Sequence, residues 1–329
     1  MTSRREFLTH GAAALAVAAL PAALVHAQAW PSRPIKIIVP LPPVGGSDYL
    51  ARVLSERLQP VLGQPLIIEN RVGADGRIGI EYAARQSPDG YTMLFITNTQ
   101  VVQPALFKKL PYDIMLDFDP VSLIANLSIA LVVHPGVPAQ SVTEYIALAR
   151  AKPGYVTFGS SGYGSPFQLG GELLKSMAGI NMLHVPYKGS GQVTQALLAG
   201  EAMSAFAPLH GAFLPLIKSG KLRALGIATS KRSPLLPGVP TIAEAAALPG
   251  YALESCFGVV APSGTPRPII ERLSGAIAAI VQDQAFAQAR LLPEGFEPIG
   301  STPGELAAFM KAGIAKYAKI VKDAKITVE

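Results

Sequence analysis

The sequence predicts an α/β protein of two domains, each built on a sheet with helices packed against it. Three observations carry that prediction. The chain has 329 residues, more than a single hydrophobic core usually organises. Short apolar runs alternate with stretches of helical periodicity, the pattern of βα units around largely parallel sheets. One supersecondary pattern, strand then glycine-rich loop then helix, occurs twice, as IIVPLPPVGGSDYLARVL and as VTFGSSGYGSPFQLGGELL. An apolar content of 50% with 15% charged residues suits a chain with a sizeable core.

Residues 1–29 are read as an export signal. Arg4 and Arg5 precede Phe7 and Leu8, an Ala-rich apolar run extends from Gly11 to Val25, and small residues follow at Ala27 and Ala29. That order is a cleaved signal peptide, and the paired arginines point to the twin-arginine route. The run is too short for the ~20 residues of a spanning helix, and Pro21 interrupts it. Removing this segment takes away Arg4, Arg5 and Glu6, so the formal charge falls from +6 to +5.

The first predicted strand, IKIIVP, leads to a helix with Leu50, Val53, Leu54, Leu58 and Val61 inward. PLIIEN (65–70) is a second strand, a short helix spans about Ile80 to Gln86, and YTMLFIT (91–97) follows the turn Ser87-Pro88-Asp89-Gly90. IALVVHP (129–135) precedes a helix opened by the capping box Ser141-x-x-Glu144. YVTFGS (155–160) is a strand, and the helix after it has Leu169, Leu173 and Met177 on one face. LRALGIAT (222–229) and SCFGVVAP (255–262) are strands, with a capping box at Thr241-x-x-Glu244 between them. Two long helices close the chain. The first turns Ile270, Leu273, Ile277 and Ile280 inward. The second starts at Thr302-Pro303-x-Glu305 and buries Leu306, Met310, Ile314 and Tyr317.

Several functions find no support. There is no Lys/Arg run and no aromatic-basic alternation, which argues against nucleic acid. The single cysteine, Cys256, forms no intrachain disulfide and reads as a small core residue. GSSGYGS lacks the Gly-Lys-Ser/Thr of a P-loop, and Gly162-Tyr163-Gly164 lacks the third glycine of a dinucleotide fingerprint. Ser161 is not centred between glycines as a nucleophile elbow requires. After the signal only His134, His184 and His210 remain, none at metal-ligand spacing, and no metal or cofactor is expected. A hydrolase using Ser160 or Ser161 with His184 is the enzymatic alternative, and nothing in the spacing supports it.

What remains is the chemistry of the two loops. A helix N-terminus offers unpaired N–H donors and partial positive charge, glycine lets backbone approach closely, and proline holds the approach rigid. Each loop is either a tight βα connection or half of a site for a carboxylate. Two loops at strand C-termini favour the site. Asp48 either caps its helix or faces a donor on the ligand. Thr97, Asn98 and Thr99 leave their strand as a polar rim, or as an ordinary polar loop. Lys188 in VPYKGSG either counters an anion or is a solvated lysine.

VPLPPVGGSDYLAR, ENRVGADGRIG, SPDGYTMLF, VPYKGSG, KLRALGIATSKRSPLLPGVPTIAEA and GVVAPSGTP together resemble the periplasmic solute receptors of tripartite tricarboxylate transporters, the Bug proteins. The resemblance runs in order from about Arg33 to Ile326. It implies a type II periplasmic-binding-protein fold, two α/β lobes joined by two crossing strands with a ligand cleft between them. The crossings fall near Leu123 to Val133 and Glu254 to Pro262. Lobe 1 then comprises 30–127 with 256–329, and lobe 2 comprises 128–255. It implies a monomeric, non-enzymatic receptor for a small organic acid, a di- or tricarboxylate or an aromatic carboxylate, serving the membrane subunits of the transporter. A receptor reporting to a sensor system is the alternative, and no sequence feature separates the two. By matching position the ligand-binding candidates are Pro42, Pro43, Val44, Gly45, Gly46, Ser47 and Asp48, with Ser160, Ser161, Gly162, Tyr163, Gly164 and Ser165. Thr97, Asn98, Thr99, Tyr187, Lys188, Gly189 and Ala207 are secondary candidates. The chain departs from the family at Val44 (often Gly), Gln168 (often His), Ala207 (often acidic) and Cys256 (usually Trp), each altering a cleft-side group.

Overall fold

A computed structural model describes residues 30–43, 45–253, 255–323 and 326. The export-signal reading of 1–29, and the expectations at Val44 and Glu254, lie outside the described residues. In chain order the elements are β1 (Ile35–Val39), α1 (Gly46–Leu62), β2 (Leu66–Asn70), α2 (Arg77–Ala84), β3 (Thr92–Thr97), α3 (Asn98–Leu106), β4 (Phe118–Leu127) and β5 (Ile129–Val133). They continue with α4 (Val142–Ala151), β6 (Thr157–Ser160), α5 (Pro166–Ala178), β7 (Leu183–Pro186), α6 (Ser190–Leu198), β8 (Ser204–Pro208), α7 (Phe213–Lys218), β9 (Arg223–Ile227) and α8 (Ile242–Ala245). The last are β10 (Ser255–Pro262), α9 (Arg267–Val281), β11 (Phe296–Pro298) and α10 (Pro303–Asp323).

The strands form two sheets, one per lobe. Lobe 1 has the order β11-β4-β10-β3-β1-β2 and lobe 2 the order β7-β6-β8-β5-β9. Both are mixed, not largely parallel. β1 pairs in parallel with β2 and β3, and β6 with β7 and β8. β10 instead runs antiparallel to β3 and β4, and β5 antiparallel to β8 and β9. The reason is topological, since one crossing leaves lobe 1 and the other returns. The outward crossing is abrupt: β4 belongs to one sheet, β5 to the other, and only Ser128 separates them.

Packing follows the predicted apolar faces. Leu50, Val53, Leu54 and Leu58 of α1 are buried with Ile35, Ile37 and Ile277 in lobe 1. Val61, predicted inward, is 55% exposed, and Leu62 takes the inward position. A second cluster fills lobe 2 around Val193, Leu197 and Phe213. A third runs through both lobes, from Ile38 and Leu306 to Leu131 and Phe158. The lobes are therefore joined by apolar packing as well as by backbone. The expected capping boxes are present at Thr241 with Glu244 and at Thr302 with Glu305. Ser141 accepts from the Glu144 amide.

Candidate functional site

The lobe 1 wall starts where β1 runs out at Val39. Pro42, Pro43 and Gly45 are exposed, and Gly45 is the N-cap of α1 in extended conformation (φ −87°, ψ 172°), with no side chain capping the helix. The amides of Gly46 and Ser47 have no hydrogen-bond partner among the described residues. Asp48 is bound by neighbouring side chains. Its carboxylate accepts two bonds from Arg52 (2.9 and 3.0 Å) and one from Asn70 Nδ2 (3.0 Å), while Asn70 Nδ2 also reaches the Leu41 carbonyl (3.2 Å). This cluster braces the loop from below and neutralises Asp48, so the positive end of α1 is left to act on the cleft.

Thr97, Asn98 and Thr99 form neither a loop nor a polar rim. Thr97 caps α3: its hydroxyl accepts from the Thr99 amide (3.2 Å), and its own amide donates to Gln100 Oε1 (2.6 Å). Asn98 is buried, donating to the Tyr317 hydroxyl (2.5 Å) and accepting from the Cys256 amide (2.7 Å). These side chains hold α3, β10 and α10 together. Thr99 is half-buried, and Cys256 is buried as expected. Beside them Gln100 Nε2 is buried without a hydrogen-bond partner, close to Gly76 and Pro40 under the first loop.

The lobe 2 wall starts at the end of β6. Gly162 (φ +125°) and Gly164 (φ +71°) occupy backbone conformations that L side chains rarely adopt, which explains the glycines. The loop is wired to itself. The Gly162 amide donates to Ser160 Oγ (3.2 Å), Gly164 to Gln168 Oε1 (2.6 Å), Ser165 to the Gly162 carbonyl (3.3 Å), and Gln168 to the Ser165 cap (3.3 Å). Only the Ser161 and Tyr163 amides of this loop have no partner among the described residues. Gln168 is thus a structural brace of the loop.

The structure brings Ser160 and His184 together, Oγ to Nε2 at 2.7 Å, although their spacing in the sequence gave no sign of it. Burial, and secondarily Lys175, push the His184 pKa down to about 4, so the ring is neutral. It packs on Phe158 (5.0 Å) and edge-on to Tyr163 (5.3 Å), which is 60% exposed. No carboxylate pairs with His184 among the described residues. Ser160 is only 1% exposed, and its hydroxyl also meets the Gly162 carbonyl (2.9 Å). The contact holds the loop to β7.

Tyr187 is half-buried and lies against Gly159, and burial raises its pKa. Lys188 is exposed, with its amide on Gln192 Oε1 (3.0 Å). Gly189 (φ +135°) is the N-cap of α6, and Ala207 is buried in β8. Between these elements Ser160, Ser161 and Ser190 line, with Phe167, Phe206 and Phe213, a recess too narrow to hold a water molecule.

Each loop faces the opposite lobe. A Cβ on Gly46 would lie 3.3 Å from Phe296 and 3.7 Å from Cδ2 of His210, a lobe 2 residue. A Cβ on Gly164 would collide with Leu106 at the end of α3. His210 Nδ1 lies 2.8 Å from the Glu294 carbonyl and 3.4 Å from its carboxylate. His210, Phe167 and Phe213 were not among the sequence candidates. The strand that positions two of them, SAFAP, is short and Ala-rich and gives little strand signal.

The model of the family described as "Tripartite tricarboxylate transporter family receptor" matches residues 50–326. The chain belongs to this family. The match begins just after the first glycine loop. The chain is 39% identical over 306 residues to Protein BugT of Bordetella pertussis, covering 92% of each. Among solved structures it is similar to Rpa4515 of R. palustris with adipate, with a TM-score of 0.81, 36% identity and coverage of 91% and 99%. It is also similar to MatC (Rpa3494) of Rhodopseudomonas palustris with bound malate, with a TM-score of 0.76, 30% identity and coverage of 89% and 100%.

Proposed function

We propose that this chain is a periplasmic, non-enzymatic receptor. It takes a small organic acid, a di- or tricarboxylate or an aromatic carboxylate, between lobes formed by residues 30–127 with 256–329 and by residues 128–255. It delivers that acid to the membrane subunits of a tripartite tricarboxylate-type transporter, acts as a monomer, and is exported by the twin-arginine route. The carrying observation is the pairing of glycine-rich strand-to-helix loops, one per lobe, each turned toward the other lobe. Relatives of like fold with adipate and malate support an acid as the ligand class.

On this reading one carboxylate meets the free amides at the start of α1 and the far end of the ligand meets the second glycine loop, in lobe 2. Each charge-assisted hydrogen bond contributes about 1.5–3 kcal/mol. A few of them, with apolar contact, reach the roughly −8 kcal/mol of a micromolar complex. Closure selects the ligand only through contacts made in the closed form. The Ser160–His184 contact is the one observation that favours the hydrolase alternative, and the burial of that hydroxyl weighs against it.

A thermal-shift screen with adipate, malate, citrate and benzoate tests the reading. A ligand that binds only the folded protein raises its melting temperature, by about 2.7 kcal/mol of added stability at a concentration a hundred times Kd. At least one of these acids is expected to do so. A screen in which no acid moves the transition refutes the proposal.

A further inference from the structure

We propose that the outer edge of β2 is a docking strand, covered by an extended segment of the transporter's membrane subunits that is apolar at alternate positions and adds to the sheet of lobe 1. This rests on the receptor reading above and deepens it, because it names where the partner sits and what chemistry it presents.

A sheet edge exposes a row of unpaired N–H and C=O groups, and proteins ordinarily blunt it with proline, a very short strand or a covering segment. Three of the four sheet edges are blunted in this way. β11 has three residues and ends in Pro298. β7 bonds inward through the amides of Leu183 and Tyr187, so Pro186 falls on its outer side, where it offers no donor. β9 is covered at its end by Pro240, whose carbonyl accepts the Ile227 amide (2.8 Å), and by Thr241, bridged to the same residue. β2 has no such device. The Ile35 amide donates to the Pro65 carbonyl and the Arg71 amide to the Val39 carbonyl (both 3.0 Å), so the odd-numbered residues of β2 bond to β1. The N–H and C=O groups of Leu66, Ile68 and Asn70 therefore point outward, and none has a partner among the described residues.

The surroundings of this edge define what covers it. Val61, Ile67, Val72 and Ile78 are each about half exposed, and they are four of the nine exposed large apolar side chains among the described residues. Nearby charges pair with one another. Glu69 meets Arg71 at 2.6 Å, and the Arg71 guanidinium lies 3.4 Å over the Tyr82 ring. An edge with paired charges, exposed apolar side chains and open backbone groups at every second residue matches an added strand. At the start of β2, Glu56, Gln59, Pro60, Gly63, Gln64 and Pro65 line an open groove of about 450 Å³, which has room for the end of such a segment. A second copy of the chain fits less well. In the two-fold antiparallel pairing centred on Ile68, the apolar Ile67 would stand opposite a Glu69 carboxylate. Two strands, β1 and β3, lie between β2 and the crossing strand β10, so a partner can hold this edge without gripping a crossing.

Hydrogen–deuterium exchange of the receptor, read residue by residue with and without the detergent-solubilised membrane subunits, tests this. In the complex the amides of Leu66, Ile68 and Asn70 are expected to exchange at least about tenfold more slowly. Ile67→Lys, which places a charge on the apolar edge, is expected to weaken the complex about tenfold or more and to leave the acid-induced thermal shift unchanged. Leu198→Lys, a comparably exposed apolar position on α6 of lobe 2, is expected to change neither. A complex that forms without slowing these amides overturns docking at β2 and leaves the receptor reading intact. Slowing that follows receptor concentration in the absence of the subunits assigns the edge to a second copy and overturns the partner named here. Absence of a complex overturns this inference, and absence of any acid-induced shift as well overturns the receptor reading beneath it.

Discussion

The two glycine-rich loops look alike in sequence and differ in how they use their hydrogen bonds. The first, from Pro40 to Gly46, leaves the Gly46 and Ser47 amides open and is braced from outside by Asp48, Arg52 and Asn70. The second closes on itself, with Gly162, Gly164 and Ser165 all bonded within the loop or to Gln168. Each keeps two amides without a partner among the described residues, Gly46 and Ser47 in the first and Ser161 and Tyr163 in the second, but the first is held from outside and the second from within.

The largest effect expected from breaking this contrast is at Gly164. Alanine there must adopt φ +71° and collide with Leu106 across the lobe boundary. Left-handed backbone costs about 1–2 kcal/mol for a non-glycine residue, while Leu106 meets the new methyl with the end of a half-buried side chain that can turn aside. Urea unfolding of Gly164→Ala should show a loss of about 1–2 kcal/mol. Gly46→Ala is the contrasting case. Its Cβ meets the edge of Phe296 at 3.3 Å and makes ordinary contact with His210 at 3.7 Å, so stability should change by less than about 1 kcal/mol. Acid affinity, measured by calorimetry, should nevertheless fall about tenfold or more, because the methyl shields the open amide. A stability loss in Gly46→Ala as large as that in Gly164→Ala would erase the distinction between the loops.

The smallest effect is acid sensitivity of the platform. His184 is neutral in the fold, with a pKa lowered to about 4 from an ordinary 6.5, so between these values the unfolded chain binds more protons. Stability contributed by the buried neutral ring is complete above pH 6.5 and is lost as pH falls toward 4. His184→Gln, which keeps a hydrogen-bonding partner for Ser160, should flatten the urea midpoint between pH 6.5 and 4. An unchanged pH profile in that variant would remove His184 from the account.

Much of the fold was legible because periodicity and caps agree with it. The α1 face, the α10 face and the boxes at Thr241 and Thr302 need only local physics. The stretch ITNTQ was misread although its signal was present. Thr97-x-x-Gln100 is a capping box, and it opens a helix that continues through Pro104 to Leu106. The functional side chains were harder for a different reason. His210 gains its meaning from Glu294 and Gly46, and Ser160 from His184, partners distant in sequence and brought together only by tertiary structure. Proline and glycine announced where a site belongs. They said nothing about which amides remain open there.

Ser128 alone joins β4 to β5, and it is fastened on both sides, its hydroxyl to Glu297 (2.5 Å) and its carbonyl to the Leu209 amide (2.8 Å). A connection so short and so well anchored leaves the chain little slack where it passes from one sheet to the other.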